Sequence, residues 1–292
     1  MSMPGLLTAM VTPYKEDLSV DYVGAADLAE YLCGNGTEAL VVCGTTGESP
    51  VLTGEEKVKL FAAVKERVGD RVPVWAGTGS NDTAVTVELS KKADKLGVDG
   101  IMLVAPYYNK PTQEGLYRHF KAAAESVEVP VMLYNVPGRT SSNLLPETIL
   151  RLAETGNIQA VKEASGNMDQ VSLLRSILPE HVIIYSGDDS LTLPLMAIGA
   201  QGVVSIASHI VGNEIRAMVE AFKSGDVQRA RQLHLELLPM FKGLFITTNP
   251  IPVKAALNMM GKGVGGFRLP LCEPSEAERE FINNLLVKYN LI

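Results

Sequence analysis

The 292-residue sequence predicts an α/β fold, a closed (β/α)8 TIM barrel of eight parallel strands followed by a C-terminal helical subdomain. Three observations lead to this fold class. Eight short apolar runs recur along the chain, amphipathic stretches separate them, and the length accommodates the roughly 250 residues of a one-domain barrel. Strands that are apolar throughout are typical of a parallel sheet buried on both faces, and repeated right-handed crossovers close such a sheet into a barrel.

The apolar runs have the length of strands and are rich in β-branched residues. They are Leu6–Thr12, Ala39–Gly44, Val72–Gly77, Gly100–Pro106, Val129–Asn135, Ile158–Ala164, Val182–Gly187 and Gly202–Ile206. The predicted helices are Tyr22–Tyr31, Glu55–Val68, Thr83–Leu96, Glu114–Ser126, Glu147–Ala153, Met168–Leu178, Leu191–Ile198 and Asn213–Lys223. A doubly wound open sheet is the alternative. It would normally carry a Gly-rich phosphate loop after its first strand, whereas this chain continues into Thr12-Pro13-Tyr14.

The chain from Asp226 onward has helical spacing and no strand pattern. Its predicted helices are Val227–Phe245, Val253–Met260 and, after a Pro-Ser start signal, Glu276–Lys288. The glycine cluster Gly261–Gly266 lacks the strand–loop–helix context of a phosphate site, so we interpret it as a linker loop. We therefore predict a catalytic barrel over residues 1–225 and a three-helix subdomain over residues 226–292.

The composition is typical of a soluble globular protein, with 46% hydrophobic and 20% charged residues. A net charge of −7 argues against nucleic acid as a partner, because phosphate contacts need a basic surface. No apolar run reaches the roughly 18 residues of a membrane span, and the N-terminus has no signal-peptide pattern. Three scattered cysteines, Cys33, Cys43 and Cys272, fit a reducing cytoplasm better than a disulfide framework.

A lysine, Lys162, interrupts the predicted strand Ile158–Ala164. Burial disfavours the ammonium form and lowers its pKa, by as much as about 3–5 for a fully buried lysine. The neutral amine is a nucleophile that can attack a ketone and form an imine. The alternative is a lysine paired with a carboxylate, but strand alternation directs the adjacent Glu163 to the opposite face.

Two further polar residues lie at the end of the preceding strand, where active sites of this fold are found. Tyr134 could shuttle protons at an imine nitrogen, although a core tyrosine with a satisfied hydroxyl is the alternative. Arg139 could clamp a substrate carboxylate with two hydrogen bonds, although a surface arginine is the alternative. Each residue is ambiguous by itself.

The motif Gly44-Thr-Thr-Gly-Glu48 follows the second predicted strand. Its glycines let backbone amides approach a ligand, and its hydroxyls can bind a carboxylate or relay protons. An ordinary turn that caps the next helix is the alternative. The four histidines are far apart and neither H-E-x-x-H nor G-x-S-x-G occurs, so local motifs predict no metal site and no serine hydrolase. For Asp188-Asp189 we prefer a hydrogen-bonding or helix-capping role.

Four motifs in order along the chain resemble the superfamily of dihydrodipicolinate synthase and N-acetylneuraminate lyase. They are Gly44-Thr-Thr-Gly-Glu48, Tyr107-Tyr-Asn-Lys-Pro111, Tyr134-Asn-Val-Pro-Gly-Arg-Thr140 and Val161-Lys-Glu-Ala164. The resemblance covers nearly the whole chain, and Thr45-Thr46 with Gly138-Arg139-Thr140 is similar to the synthase branch. It implies condensation of pyruvate with L-aspartate 4-semialdehyde to 4-hydroxy-tetrahydrodipicolinate and water, in lysine and diaminopimelate biosynthesis.

The resemblance also implies a role for each matched residue. Lys162 would form the imine with pyruvate, and Tyr134 would be the general acid and base. Thr45 and Tyr108 would complete its proton relay. Thr46, the backbone at Val204 and Arg139 would bind substrate, with Arg139 holding the semialdehyde carboxylate. Because the lysine itself supplies the electrophilic imine, no cofactor is expected.

The family position of Tyr108 belongs to the neighbouring subunit, so the resemblance implies a tight homodimer, usually paired into a tetramer. Family members inhibited by lysine bind it through positions that correspond here to Ser49, Gly54, Lys57, Asn81, Val85 and Tyr107. Sensitive members typically have histidine in place of Lys57 and glutamate in place of Val85. A valine cannot pair with the ammonium group of a ligand and a lysine repels it, so we predict weak or absent feedback inhibition.

Two other functions remain open at the level of sequence. A sibling aldolase, such as a 2-keto-3-deoxy-sugar-acid or N-acetylneuraminate lyase, would share Lys162 and Tyr134 but need a longer site for its sugar chain. Arg139 argues for a small aldehyde that bears a carboxylate. A non-enzymatic binder on the same barrel is the third hypothesis, since one fold hosts many functions. The presence of both Lys162 and Tyr134 argues against it.

Overall fold

The computed structural model describes residues 4–292, which contain a closed barrel of eight parallel strands in sequence order. The strands are β1 (Leu6–Ala9), β2 (Ala39–Val42), β3 (Val74–Gly77), β4 (Gly100–Val104), β5 (Val131–Asn135), β6 (Ile158–Glu163), β7 (Ile183–Ser186) and β8 (Gly202–Ser205). Every residue of β1, β2, β3, β5 and β8 is buried. This burial confirms the prediction of a parallel sheet covered on both faces.

All eight predicted strands are present, but several were predicted to end too late. The first ends at Ala9 rather than Thr12, and the second ends at Val42. The reason at the second strand is local, since Cys43 has a left-handed backbone with φ 58° that an extended strand cannot accommodate. The polar motif after β2 therefore begins in a loop beyond the end of the strand.

The predicted helices are also present within residues 4–292. The α-helices are α1 (Tyr22–Gly34), α2 (Gly54–Val68), α3 (Thr83–Lys95), α4 (Gln113–Ala124), α5 (Pro137–Thr140), α6 (Pro146–Ala153), α7 (Met168–Ile177), α8 (Thr192–Ala197), α9 (Ser208–Lys223), α10 (Val227–Gly243), α11 (Ile251–Met259) and α12 (Glu276–Lys288). Helices α2 and α12 each begin with a capping box. The hydroxyl of the N-cap residue accepts a hydrogen bond from the backbone N–H of a glutamate three residues later, and that glutamate's carboxylate accepts one from the backbone N–H of the N-cap residue.

The largest differences from the predicted helices are found at two places, and the other bounds differ by three residues or fewer. The single turn α5, which carries Arg139, was not predicted because four residues are too few to show helical periodicity. Helix α9 begins at Ser208, earlier than the predicted Asn213, and Val211 inside it has a non-helical backbone with φ −124° and ψ 43°. That interruption explains why helical spacing is visible only beyond it.

The chain forms two compact units. One consists of Pro73–Val204 together with Pro4, and the other of Gly5–Val72 and Ser205–Ile292. In the second unit, α10 packs against α9 and α12, and α9 packs against β1. The predicted boundary between two domains at residue 225 stays a prediction. Residues 1–3 of the predicted barrel domain lie outside the described range. None of the helices within residues 4–292 combines the length and the apolar character that a membrane crossing requires.

Candidate active site

Strands β5 and β6 bring Tyr134 and Lys162 together. The two residues are partners in the parallel register, and Lys162 Nζ lies 4.1 Å from the centre of the Tyr134 ring. Their side chains are almost completely enclosed, with exposures of 4% for Lys162 and 5% for Tyr134. An amine and a phenol are thus held next to each other inside the protein, as the sequence predicted.

The electrostatic surroundings of Lys162 favour its neutral form. Burial lowers the pKa of Lys162 to about 7, the negative charge of Asp189 opposes this change, and the positive charge of Arg139 adds to it. Lys162 forms no ion pair with any carboxylate in the described part of the chain. A large fraction of this lysine is therefore a free amine at neutral pH, which is the form that attacks carbonyl carbon.

Glu163 faces away from Lys162, as strand alternation predicted. Its Oε1 accepts a hydrogen bond of 2.6 Å from Ser165 N, and its Oε2 accepts one of 3.1 Å from Asn135 Nδ2. Burial raises the pKa of the Glu163 carboxyl, and the hydrogen bonds from Ser165 and Asn135 oppose that rise. The structure therefore rules out a Glu163 partner for Lys162.

Gly187, at the end of β7, approaches Lys162 closely, and the sequence analysis did not single it out. A Cβ atom at this position would lie 3.2 Å from Lys162 Cε and 2.7 Å from the Cβ of Ala164. Gly187 N donates a hydrogen bond of 2.7 Å to Glu163 O. The sequence shows only a glycine at the end of a strand. The structure shows that the absence of a side chain at Gly187 leaves space for Lys162.

Arg139 lies on α5, just beyond β5, and its side chain is exposed. Its charge nevertheless reaches Lys162, whose pKa it lowers. The next residue, Thr140, accepts a hydrogen bond of 3.3 Å from Tyr108 N through its backbone carbonyl. Tyr108 itself is 89% exposed and has a left-handed backbone with φ 73°. The structure thus groups Tyr134, Lys162, Arg139 and the Tyr108 segment within one compact unit.

Thr45 and Thr46 belong to the second unit, in the turn after β2. Thr46 is buried, and its hydroxyl accepts a hydrogen bond of 3.0 Å from Asn249 Nδ2. The turn is also held at Gly47, whose carbonyl accepts a 2.7 Å bond from the hydroxyl of Thr12. The turn is therefore anchored to other parts of its unit, which an ordinary helix-capping turn would not require.

A second buried lysine, Lys254 on α11, anchors the same turn. Its Nζ donates to Glu48 Oε1 at 2.8 Å and to Thr12 O at 3.1 Å, and it also bonds to the carbonyl of Gly266. Both side chains of this ion pair are completely inaccessible to solvent. Lys254 was not among the predicted residues, although a lysine within the apolar stretch Ile251–Met259 was a signal of the same kind as Lys162.

Two remaining predictions can be located. Val204 lies in β8 and is buried. Asp188 caps the short 3-10 helix that follows β7, since its Oδ1 accepts hydrogen bonds from the backbone N and the hydroxyl of Ser190, which confirms a capping role. No group of three or more potential metal-ligating side chains occurs among residues 4–292.

Comparison with known proteins adds the family to this geometry. The model of the dihydrodipicolinate synthetase family matches residues 2–288. The chain belongs to this family. A curated relative from Desulforamulus reducens, named 4-hydroxy-tetrahydrodipicolinate synthase, is 57% identical over 288 residues that cover 98% of this chain and 97% of the relative.

Solved structures agree with this assignment. A crystal structure of dihydrodipicolinate synthase from Bacillus anthracis superposes with a TM-score of 0.95 at 49% identity and covers 97% of each chain. Another structure, described as the first monomeric dihydrodipicolinate synthase variant, has a TM-score of 0.96 at 41% identity and covers 99% of this chain and 97% of its own.

Proposed function

We propose that Lys162 performs the reaction of this family as a Schiff-base nucleophile. The chain is a lyase of lysine and diaminopimelate biosynthesis that condenses pyruvate with L-aspartate 4-semialdehyde to 4-hydroxy-tetrahydrodipicolinate and water. The observation that carries the residue assignment is the buried amine of Lys162, with its pKa lowered to about 7, against the ring of Tyr134. The synthase name shared by relatives and solved structures favours this activity over the sibling aldolases.

The chemistry follows from a neutral amine. Lys162 Nζ attacks the ketone carbon of pyruvate, and loss of water gives an imine. The imine withdraws electrons and acidifies the pyruvate methyl group, so that removal of a proton yields an enamine. The enamine carbon then bonds to the aldehyde carbon of the second substrate. Finally, the amino group of the product attacks the imine carbon and displaces Lys162, which leaves the lysine free for the next cycle.

The roles of the surrounding residues are part of the same proposal. Tyr134 transfers protons to and from the carbinolamine and imine, with Thr45 and Tyr108 as the relay. Thr46 and the backbone at Val204 bind pyruvate. Arg139 binds the carboxylate of the semialdehyde through two parallel hydrogen bonds. These assignments are supported by the family motifs and, for Tyr134 and Arg139, by their geometry and charge at Lys162.

We further propose a tight homodimer, paired into a dimer of dimers, in which Tyr108 serves the partner subunit. The support is the 89% exposure of this large aromatic side chain on a left-handed backbone, since an aromatic residue held outward by strain is suited to a partner. Analytical ultracentrifugation measures the oligomer directly. We also place the reaction in the cytoplasm, in keeping with the free cysteines Cys33, Cys43 and Cys272.

Borohydride trapping tests the nucleophile. Sodium borohydride added with pyruvate should reduce the imine to a stable pyruvyl adduct, which peptide mass spectrometry should locate on Lys162. Lys254 provides the internal control, because its side chain is inaccessible and occupied by Glu48. Folded protein without an adduct on Lys162 would refute the mechanism. Assays with L-aspartate 4-semialdehyde and with sugar aldehydes then separate the synthase from a sibling aldolase.

The predicted weak or absent feedback inhibition by L-lysine is also part of this proposal. Lys57 stands where lysine-sensitive members typically have histidine. Burial lowers the pKa of Lys57, which weakens its repulsion of a ligand ammonium, so the expectation depends mainly on Val85. Val85, which stands where they have glutamate, is 51% exposed and offers a ligand ammonium no counter-charge. We expect weak or absent inhibition in a steady-state assay with L-lysine. Clear inhibition at submillimolar L-lysine would contradict this expectation.

A further inference from the structure

The Arg139 loop (residues 136–143) is closed by one side chain. Asn135, the last residue of β5, accepts a hydrogen bond of 2.9 Å at Oδ1 from Leu144 N. Its Nδ2 donates to Asn143 Oδ1 at 3.0 Å. Asn135 therefore stands at the start of the loop and holds its far end, and it is completely buried while doing so.

Inside the loop the backbone is bonded to itself. Arg139 N and Thr140 N donate to Val136 O at 2.9 Å and 3.1 Å, and Ser141 N donates to Pro137 O at 2.9 Å. Such a turn moves as a unit, because these bonds join residues that are three or four positions apart within it. The direction of Arg139 consequently depends on where the two ends of the loop are held, which is the task of Asn135.

Glu163 and the backbone N–H of Leu144 together determine which way the Asn135 amide faces. A carboxylate only accepts hydrogen bonds, so the Nδ2 group of Asn135 must face Glu163 Oε2, at 3.1 Å, and Oδ1 must face Leu144 N. Glu163 is 2% exposed and forms no ion pair within residues 4–292. A buried carboxylate without a cation is costly, and charge-assisted hydrogen bonds such as the 2.6 Å bond from Ser165 N offset that cost.

A pair of amides connects the same network to α7. Asn143 Nδ2 donates to Gln170 Oε1 at 2.8 Å, and Gln170 Nε2 donates back to Asn143 Oδ1 at 3.2 Å. The far end of the Arg139 loop is thus held from two sides. In the strand register Asn135 is the partner of Glu163, just as Tyr134 is the partner of Lys162. The polar network therefore lies one residue beyond the reactive pair on both strands.

We infer that Asn135, oriented by Glu163, is a positioning residue that sets the direction of Arg139 and thereby the affinity for the carboxylate of the second substrate. The inference rests on the proposed role of Arg139 as the carboxylate clamp. It assigns Asn135 no contact with substrate, since strand alternation turns its buried side chain to the face of β5 opposite Tyr134. The ligand whose affinity would depend on Asn135 is a small aldehyde that bears a carboxylate.

The variant Asn135→Ala tests the inference, with Asn157→Ala as the matched control. Asn157 is also an asparagine next to a barrel strand, and its Nδ2 donates to Ala124 O at 2.7 Å and Val127 O at 3.0 Å, away from the loop. Because a shift of about 1 Å in a positioning group can cost about 100-fold, Asn135→Ala should raise the KM for L-aspartate 4-semialdehyde at least about tenfold. Borohydride trapping of pyruvate on Lys162 should stay within about twofold, since the amine itself is not displaced. Asn157→Ala should change neither quantity.

A double-mutant cycle distinguishes positioning from general loss of structure. In an Arg139→Ala background, Asn135→Ala should raise the KM no further, because the group that it positions is already gone. Glu163→Gln keeps the shape of the side chain but can present an amide group to Asn135. It should raise the KM in the same direction by a smaller factor, again only while Arg139 is present. If Asn135→Ala does not fold, Glu163→Gln tests in its place whether the network positions Arg139.

Two outcomes would overturn the inference. One is additivity of the Asn135 and Arg139 substitutions in KM, and the other is an equal loss in pyruvate trapping and in semialdehyde binding. Failure of the proposed function is recognised separately. It would be evident as absence of the Lys162 adduct in the unsubstituted enzyme, or as an unchanged KM in Arg139→Ala alone.

Discussion

Two buried lysines, Lys162 on β6 and Lys254 on α11, differ in what surrounds their amines. The three N–H groups of Lys254 find three acceptors, namely a carboxylate and two backbone carbonyls. Among residues 4–292, the contact of Lys162 Nζ is the face of the Tyr134 ring at 4.1 Å, while Asp189 and Arg139 act on it through their charges. Burial lowers the pKa of both lysines.

This difference distinguishes the ion-paired lysine from the lysine that we propose to be reactive. Glu48 lies 2.8 Å from Lys254 and opposes the effect of burial on its pKa. Lys162 forms an ion pair with no carboxylate of the described range, and its pKa falls to about 7. Burial of a lysine is therefore a poor guide to function by itself. The informative feature is burial without a contacting carboxylate, because the amine can then lose its proton at neutral pH.

Replacement of Lys162 should have the largest effect on activity. Lys162→Ala removes the nucleophile, and loss of a covalent nucleophile costs about 10⁶-fold in a protease where it has been measured. We expect kcat to fall by at least about 1000-fold while the fold is retained. Steady-state kinetics and circular dichroism measure the two quantities. Residual activity within tenfold of the unsubstituted enzyme would show that another group forms the imine.

Replacement of Lys254 should have its largest effect on stability. Lys254→Met leaves Glu48 buried without its counter-ion, and breaking a fully buried ion pair from one side costs about 3–5 kcal/mol. The double variant Lys254→Met with Glu48→Leu should recover most of this loss, since no unpaired charge remains. Urea denaturation at one protein concentration gives both free energies of unfolding. Equal destabilisation of the single and double variants would contradict an ion-pair origin.

A side chain at Gly187 should impair Lys162 without removing it. The added Cβ of Gly187→Ala would lie 2.7 Å from the Cβ of Ala164, which must shift, and 3.2 Å from Lys162 Cε, which must give way by a few tenths of an ångström. We expect kcat/KM for pyruvate to fall about tenfold or more. Overpacking should cost about 1–3 kcal/mol in the free energy of unfolding. Unchanged kinetics would show that the Lys162 side chain tolerates displacement.

The smallest expected effects are shifts in the pH profile. Below pH 7 the ammonium form of Lys162 predominates and cannot attack a carbonyl, so kcat/KM for pyruvate should rise through about pH 7 and level off above it. The charge of Arg139 lowers the pKa of Lys162, so Arg139→Gln should move this rise to higher pH. The charge of Asp189 raises the pKa, so Asp189→Asn should move it to lower pH. Shifts in one common direction would contradict the assignment of charges.

Much of the barrel could be predicted because its strands follow a local rule. Apolar β-branched runs marked all eight strands, and their polar ends marked Lys162, Tyr134 and Arg139. The predicted bounds were wrong where the backbone conformation is not evident from the pattern of apolar and polar residues. Strand β2 stops at the left-handed Cys43, and the single turn α5 is too short to show periodicity. Gly187 and Lys254 escaped notice because their importance depends on residues distant in sequence.

The sequence by itself determined the fold class, the family motifs and the candidate nucleophile, since hydrophobic period and residue order are local properties of the chain. Only the tertiary structure decided which buried lysine is paired and which is free to lose its proton. That distinction depends on the distance from each amine to a carboxylate, and Glu48 is brought to Lys254 from a position 206 residues away along the chain. The same is true of Asn135, whose neighbour Tyr134 is the proposed proton carrier but whose own partners lie in the loop that it closes and on the adjoining strand.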